Sequence, residues 1–323
     1  MSGSRAPVID VRDLRKTFPA RKNRPQRNAL DGVSFAIEPG ELVGVLGANG
    51  SGKSTLFRIL ATLLQPTTGH ASIAGHNVAQ HPGRARQAMG VVLQAGGIDA
   101  RLTVAEHLRL FATLKGLRGR AAQDAVATAL RNAGLDDRAS DAAGELSGGL
   151  ARRLELAAAG LANPAVLLLD EAAVGLDADA RADWWRGLRQ RAQEHAAAVL
   201  ATTHQLDEAD RCDRLIVMDR GRVAAQGPPG KLRAGLGEQV LRVRPARAET
   251  GHVKQTLTRV AAEQGAEPPA PDDTGWVIAG ERAASLIEPA SQTLGAGAAE
   301  FILGPPTLED LVRSVTAEHA QPA

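Results

Sequence analysis

The stretch Gly47-Ala48-Asn49-Gly50-Ser51-Gly52-Lys53-Ser54-Thr55 decides the fold of this chain. It matches the pattern G-x-x-x-x-G-K-[ST], in which glycines let backbone N–H groups converge on phosphate oxygens and the lysine adds a mobile cation. Apolar residues predict a buried strand over 42–46 and a helix over 56–64. Because strand, loop and helix follow in the required order, the sequence predicts a nucleoside triphosphate site. The residues expected to hold phosphate are Gly47, Asn49, Gly50, Ser51, Gly52, Lys53, Ser54 and Thr55.

Length and composition limit the classes of protein that fit. With 323 residues, 44% of them hydrophobic, the chain can bury a full core, and we expect a large α/β domain and a smaller one. No run approaches about eighteen apolar residues and no apolar segment follows Met1, so we expect no membrane span, no secretory signal and a cytosolic location. Cys212 is the only cysteine, which excludes an internal disulfide and favours a small buried side chain.

The charge pattern is less informative. A formal net charge of +2 does not require a nucleic-acid partner, and none is expected. Basic residues nevertheless crowd the N-terminal region, with Asp13 as the only acid among them. This pattern fits either a solvated hairpin or contact with phosphate or anionic lipid. The basic residues are Arg12, Arg15, Lys16, Arg21, Lys22, Arg24 and Arg27.

Apolar periodicity outlines the architecture around the loop. Short strands at 8–14 and 33–37 predict a small β layer that precedes the main sheet. Helical patterns without an intervening strand predict a helical insertion, with helices at 104–115, 121–133 and 150–162. Strands that alternate with a helix predict a mainly parallel, doubly wound sheet. These elements are the strands 166–169, 198–202 and 214–218 and the helix 179–194.

A second domain is predicted after a glycine-rich linker at 235–237. Strands near 240–243, 276–279 and 300–303 alternate there with helical segments, and the proline-rich segment 268–273 predicts an exposed loop. We therefore expect a nucleotide-binding domain at 1–235, with a helical subdomain at about 95–162, and a C-terminal accessory domain at 238–323.

Two further motifs carry groups suited to phosphate chemistry. The apolar strand 166–169 leads into Asp170-Glu171, which places two carboxylates at the C-terminal edge of the sheet. Asp170 is suited to hold magnesium and Glu171 to polarise a water for attack on the γ-phosphate. In Leu146-Ser147-Gly148-Gly149 a hydroxyl and two glycines open a helix, which creates a second anion-binding site.

The order of these motifs resembles the ATP-binding cassette family. The phosphate loop corresponds to the family's Walker A motif, Ser147, Gly148 and Gly149 to its signature, and 166–171 to Walker B. The resemblance implies that Glu171 is the catalytic base, that Gln94 belongs to the Q-loop, that Asp177 belongs to the D-loop and that His204 reaches the γ-phosphate. It also implies magnesium bound by Ser54, Gln94 and Asp170, and an adenine ring stacked on Phe18.

The resemblance covers approximately residues 8–230 and implies a fold class. That class is α/β: a P-loop NTPase cassette with a mainly parallel sheet, an antiparallel β subdomain and a helical subdomain, plus a small α+β C-terminal domain. The chain departs from the family at two places. Leu150 replaces the usual Gln after the signature glycines, and Ala172-Ala173 replace a frequent Pro-Thr. Neither change removes a group that does chemistry, so we expect an active ATPase whose dimer interface is altered.

The resemblance also implies partners. In this family the signature of one subunit closes over ATP bound by another, so a dimer, most simply a homodimer, is expected. Transporter cassettes dock a membrane permease near the region that corresponds to 98–115, where we predict a cleft, and the chain is expected at the cytoplasmic face of the membrane. The C-terminal part, ending in Pro306-Thr307-Leu308-Glu309-Asp310-Leu311, resembles daunorubicin-resistance-like exporter ATPases. A soluble cassette ATPase acting on a ribosome or nucleic-acid complex is the alternative.

Overall fold

A computed structural model describes residues 6–20, 25–94, 96–203, 206–246, 250–272, 274–295 and 297–318. The chain divides into two compact units, Met1–Val223 and Ala224–Ala323. The division predicted from the sequence between 235 and 238 stays a prediction. No helix of the described residues combines the length and the apolar character that crossing a membrane requires.

The strands of the first unit form two sheets. An antiparallel sheet has the order β2-β1-β4-β5, and a six-stranded sheet has the order β10-β9-β3-β8-β7-β6, in which β3, β6, β7, β8 and β9 run parallel where they pair. This confirms the predicted mainly parallel sheet and antiparallel layer. The strands are β1 (Ile9–Phe18), β2 (Arg27–Ile37), β3 (Leu42–Leu46), β4 (Thr68–Ile73), β5 (His76–Asn77), β6 (Met89–Val92), β7 (Val166–Asp170), β8 (Ala198–Thr202), β9 (Arg214–Asp219) and β10 (Arg222–Gly227), which continues past the boundary of the unit.

The helices of the first unit either flank the parallel sheet or build the insertion. They are α1 (Lys53–Leu60), α2 (Pro82–Ala88), α3 (Val104–Leu114), α4 (Gly119–Ala133), α5 (Gly148–Ala159), α6 (Ala178–His195) and α7 (Leu206–Ala209). Every residue of β3, β7 and β8 is buried, as expected for parallel strands covered on both faces.

The predicted helical insertion is confirmed, with α3, α4 and α5 packed around their own apolar core. A capping box between Thr103 and Glu106 starts α3, and Gly134, in a left-handed conformation with φ of 63°, ends α4. Leu108, Leu130 and Leu154 are buried where these helices meet. The helix α5, which begins after the signature Ser147, therefore shares one core with α3 and α4.

The N-terminal strands are longer than predicted. β1 runs on to Phe18, which pairs with Arg27 of β2, so most of the predicted basic turn is strand. Ion pairs account for part of its charge, since Arg12 lies 2.6 Å from Asp10 and Arg15 contacts both Asp13 and Asp31. Arg21, Lys22 and Arg24 lie outside the described residues.

The second unit contains an antiparallel sheet of order β12-β13-β11-β14 with helices between its strands. A β-α-β-β-α-β succession with this strand order is the ferredoxin-like arrangement. The elements are α8 (Pro229–Ala234), β11 (Val240–Pro245), α9 (Thr250–Gln264), β12 (Ala270–Asp272), β13 (Gly275–Ala279), α10 (Ile287–Leu294), β14 (Ala299–Gly304) and α11 (Leu308–Glu318).

The loop predicted at 268–273 is wrong at 270–272, and Asp273 lies outside the described residues. Ala270 pairs with Val277 and Pro271 with Trp276, which adds β12 to the edge of the sheet. Proline lacks an N–H donor and is tolerated in an edge strand, where one side of the backbone needs no partner. The proline signal therefore marks a sheet edge here.

Cys212 has the buried position that the sequence predicts. It is 5% exposed, and a Cβ placed on Gly44 would lie 2.9 Å from its Sγ. Burial raises the pKa of this thiol to about 12. At pH 8 the thiolate fraction is therefore on the order of 10⁻⁴.

We expect the folded chain to resist thiol reagents at pH 8 and to react stoichiometrically once it is unfolded in urea, because only the thiolate is nucleophilic. Absorbance from a disulfide-exchange reagent measures both rates. Complete labelling of the native protein within seconds would contradict the burial of Cys212.

Candidate nucleotide-binding site

The phosphate loop depends on two glycines with positive φ. A Cβ on Gly47 (φ 147°) would lie 2.3 Å from the carbonyl oxygen of Met218, and one on Gly52 (φ 110°) 2.6 Å from that of Ala29. No side chain fits at either place. The loop ends where α1 begins, so the positive end of the helix dipole lies at the loop, as anion sites require.

Lys53 lies folded onto this loop. Its side chain is 6% exposed, and Nζ donates to the carbonyl oxygens of Gly47 (2.6 Å) and Ala48 (3.1 Å). Burial lowers the pKa of Lys53, while the charges of Glu171 and Asp170 act in the opposite direction. The loop, the cation and the two acids are therefore neighbours, as the sequence predicts.

The hydroxyl of Ser51 is a second polar group held in the loop. Ser51 is 4% exposed, and its Oγ has no hydrogen-bond partner among the described residues. A buried hydroxyl without a partner is costly, which a ligand oxygen at the loop would relieve.

Asp170 and Glu171 share one partner at the end of β7. The Thr202 hydroxyl donates to Oδ1 of Asp170 and accepts from the backbone N–H of Glu171, both at 2.8 Å. Thr202 ends the neighbouring strand β8 and is 3% exposed. Glu171 has φ of 51°, a left-handed conformation that is unfavourable for a residue with a Cβ. A hydrogen bond from its N–H helps to hold it there.

Gln94 contacts Glu171 directly. Its Nε2 donates to Oε2 of Glu171 at 2.7 Å, although 77 residues separate the two in sequence. The Gln94 amide oxygen takes no part in this bond. Gln94, Asp170 and Glu171 thus offer oxygen ligands beside the phosphate loop, and Ser54, exposed in the first turn of α1, adds a hydroxyl. This is the hard oxygen chemistry that Mg²⁺ prefers.

Ser147 and Asp177 each cap a helix. Ser147 accepts from Leu150 N at 3.5 Å at the start of α5, and Asp177 accepts from Ala180 N at 2.8 Å at the start of α6. Both residues are exposed. Gly148 and Gly149 form the first turn of α5. Among the described residues, no hydrogen bond within the chain joins Ser147 or Asp177 to the phosphate loop.

The two departures from the family pattern have a packing reason. The side chain of Leu150 is half-buried and packs against the core of the helical insertion. Ala172 and Ala173 are 2% and 5% exposed, so small side chains fit where they lie.

Phe18 and His204 are the last two residues that the sequence assigns to the nucleotide site. Phe18 ends β1 with its ring 39% exposed and Nζ of Lys16 5.3 Å from the ring centroid, so one face is engaged by a cation. His204 lies outside the described residues.

Sequence reasoning missed Thr202, Arg152 and Glu155. Arg152 donates to the carbonyl oxygen of Glu171, and Glu155 accepts from both Arg152 and Gly97 N. The helical spacing of Arg152 and Glu155 suggests a pair, but it does not reveal the backbone groups that they bind.

A parallel sheet with a phosphate loop after β3 and two consecutive carboxylates at the C-terminal end of β7 defines a P-loop nucleoside-triphosphatase. The family model described as "ABC transporter" matches residues 30–174. The Nod factor export ATP-binding protein I of Burkholderia pseudomallei is 41% identical over 237 residues, which cover 73% of this chain and 76% of that protein. The chain belongs to the ATP-binding proteins of ABC transporters.

Other relatives and solved structures agree. The daunorubicin/doxorubicin resistance ATP-binding protein DrrA of Streptomyces peucetius is 37% identical, over 75% of this chain and 74% of that protein. The probable multidrug ABC transporter ATP-binding protein YbhF of Escherichia coli is 38% identical, but the match spans only 38% of its length. A structure of an ATP-binding subunit of an ABC transporter has a TM-score of 0.64 at 30% identity, over 71% of this chain and 93% of that one. A dimeric post-hydrolysis state of the cassette MJ0796 bound to ADP and Pi has a TM-score of 0.63 at 26% identity, over 68% and 98%.

Proposed function

We propose that this chain binds and hydrolyses ATP as the cassette subunit of an exporter whose membrane-spanning part is a separate polypeptide. The observation that carries the proposal is the meeting of Lys53, the pair Asp170 and Glu171, and Gln94 beside one phosphate loop. Relatives named for Nod factor export and for daunorubicin resistance support export rather than a ribosomal or nucleic-acid role.

Hydrolysis follows from the groups at the loop. Backbone N–H groups, Ser51 and Lys53 bind the phosphates, and Phe18 offers its partly exposed ring to adenine. Ser54, Gln94 and Asp170 would hold Mg²⁺, which neutralises charge on the phosphate oxygens when bound. Glu171 accepts a proton from the water that attacks the γ-phosphorus, as the bond to the bridging oxygen of ADP breaks. The contact of His204 with the γ-phosphate stays a prediction.

The site is completed by a second copy of the chain. Ser147, Gly148 and Gly149 form an exposed helix N-terminus, and Asp177 caps the neighbouring helix α6, so both can face ATP on another subunit. The dimeric cassette bound to ADP and Pi supports this arrangement. ATP would therefore close two subunits, and hydrolysis would reopen them.

The predicted cleft coincides with a cavity of about 490 Å³ between β6, α2 and the helices α3 and α5. Leu63 and Leu114, 60% and 68% exposed, are among the residues that line it. His107 also lines it and is 1% exposed, and its Nδ1 has no hydrogen-bond partner among the described residues. We assign this cleft to a cytoplasmic segment of the membrane partner, which would bring the chain to the cytoplasmic face of the membrane.

Leu114→Glu should abolish binding of the membrane partner and leave basal ATP hydrolysis unchanged, because it places a charge at an apolar docking surface outside the nucleotide site. Leu110→Glu is the matched control: Leu110 is 44% exposed on the same helix and does not line the cavity. Co-purification with the co-expressed partner measures the effect. Equal loss in both variants would contradict the cleft assignment.

The decisive experiment combines two measurements. Phosphate release from the purified chain tests hydrolysis, and co-purification with a multi-span membrane protein, sought among the products of the neighbouring genes, tests the exporter role. Stable association with ribosomes, together with no binding to that membrane protein, would refute the transporter proposal.

A further inference from the structure

Arg152 on the signature helix α5 has no role in the function proposed above, yet it joins three segments. Its guanidinium donates to the carbonyl oxygens of Leu93 and Glu171, each at 3.2 Å, and to Oε2 of Glu155 at 2.5 Å. The side chains of Arg152 and Glu155 are each 10% exposed. Hydrogen bonds with a charged donor are strong, and the low local dielectric strengthens them further.

Glu155 extends these contacts to the other side of Gln94. Its Oε1 accepts from Gly97 N at 2.6 Å, while its partner Arg152 binds the carbonyl oxygen of Leu93. The pair therefore binds the backbone before and after Gln94. Gln94 itself donates to the carboxylate of Glu171.

The backbone of Glu171 is held from both sides. Its N–H donates to the Thr202 hydroxyl, and its carbonyl oxygen accepts both from Arg152 and from the backbone N–H of Val174 at 3.2 Å. This matters because φ of 51° is unfavourable for glutamate and persists only where the surroundings enforce it. Without the Arg152 donor, the carbonyl oxygen of Glu171 loses its bond to α5, and the local bond from Val174 remains.

We propose that Arg152 and Glu155 form a positioning pair for hydrolysis. Through them α5 fixes the backbone of Glu171 and the flanks of Gln94, so that the carboxylate stays in place for the attacking water. The proposal rests on the function proposed above, because it requires Glu171 to be the base. Neither Arg152 nor Glu155 is assigned a contact with ATP.

The pair also links the nucleotide site to two other surfaces. Ser147, assigned to the partner subunit's ATP, begins the same helix, and Glu155 lines the cleft assigned to the membrane partner. A displacement of α5 by either partner would therefore change the hydrogen bond between Arg152 and the carbonyl oxygen of Glu171.

Arg152→Met tests the pair, because methionine keeps an unbranched apolar side chain and removes every donor. We expect kcat for ATP hydrolysis to fall about tenfold or more, with KM for ATP within about twofold of wild type. Arg120→Met is the matched control, since among the described residues Arg120 forms an exposed ion pair with Asp124 at 3.8 Å on α4 and no other, and the kcat of this variant should not change. Arg152→Lys keeps the positive charge, so it tests the proposal even if Arg152→Met does not fold. Its kcat should also fall, because one ammonium group cannot reproduce the several directed N–H donors of the guanidinium.

The charge-reversed double variant Arg152→Glu with Glu155→Arg separates positioning from simple stability. It restores an ion pair, so its thermal midpoint of unfolding should be higher than that of Arg152→Glu alone. A carboxylate at 152 cannot donate to the carbonyl oxygens of Leu93 and Glu171, so kcat should stay low. Recovery of kcat in the double variant would overturn the proposal, as would wild-type kcat in Arg152→Lys. Failure of the wild-type chain to hydrolyse ATP would refute the proposed function instead.

Discussion

Glu171→Gln is expected to lower steady-state ATP turnover by about 100- to 10,000-fold while ATP binding is retained, because a positioned general base contributes a factor of this size. The substitution is close to isosteric. A glutamine oxygen can still accept from Nε2 of Gln94, and the backbone bonds to Thr202 and Arg152 do not involve the side chain. The variant therefore removes basicity and leaves the geometry in place. ATP should then trap the chain as a dimer, which size-exclusion chromatography detects.

Glu194→Gln is the control for this variant. Glu194 is exposed on α6 and accepts only from Gln190 on the same helix among the hydrogen bonds of the described residues. Glu194→Gln removes the same charge at a position away from the phosphate loop, so the ATP turnover of this variant should equal that of wild type. Retained hydrolysis in Glu171→Gln would remove Glu171 as the base, and Asp170 would become the next carboxylate to test.

Physical rules explain why the centre of the site could be predicted from sequence. A buried parallel strand leaves its C-terminal residues at the sheet edge, so Asp170 and Glu171 had to lie near a loop that follows a strand of the same sheet. The charges of both acids act on Lys53 in the structure, in agreement with that reasoning. No such rule places Gln94 beside Glu171, because the two residues are far apart in sequence. Only the resemblance to the family assigned both of them to the nucleotide site.

Backbone acceptors mark the limit of prediction. Arg152 binds the carbonyl oxygens of Leu93 and Glu171, and because every residue has a carbonyl oxygen, no sequence pattern singles out these two. The strand β4 was missed for a related reason. It contributes to the antiparallel sheet by pairing with β1, but its first two residues are exposed and its last three are buried in a row, so it lacks the alternation that marks a half-buried strand.

Lys53→Ala should weaken ATP binding by about 10- to 100-fold, the effect of losing a charged hydrogen-bond donor of about 1.5–3 kcal/mol. In the structure Nζ is held by the carbonyl oxygens of Gly47 and Ala48, so it lies at the loop before a phosphate arrives. Titration with a fluorescent ATP analogue measures the affinity. Lys254→Ala, in the second unit and close to Trp276, is the control and should bind as wild type.

The stability of the same variant distinguishes a binding role from a structural one. Burial lowers the pKa of Lys53, so the folded chain holds this charge at a cost that offsets the two hydrogen bonds donated by Nζ. We therefore expect Lys53→Ala to change the unfolding free energy without ATP by less than about 1 kcal/mol. ATP at about 100 times the wild-type Kd should stabilise wild type by about 2.7 kcal/mol, but a variant of 100-fold weaker affinity by only about 0.4 kcal/mol. Equal stabilisation by ATP would show that Lys53 does not bind phosphate. A large loss of stability without ATP would instead make Lys53 a structural support of the loop, since a residue whose role is to bind the ligand contributes little to the stability of the unliganded fold.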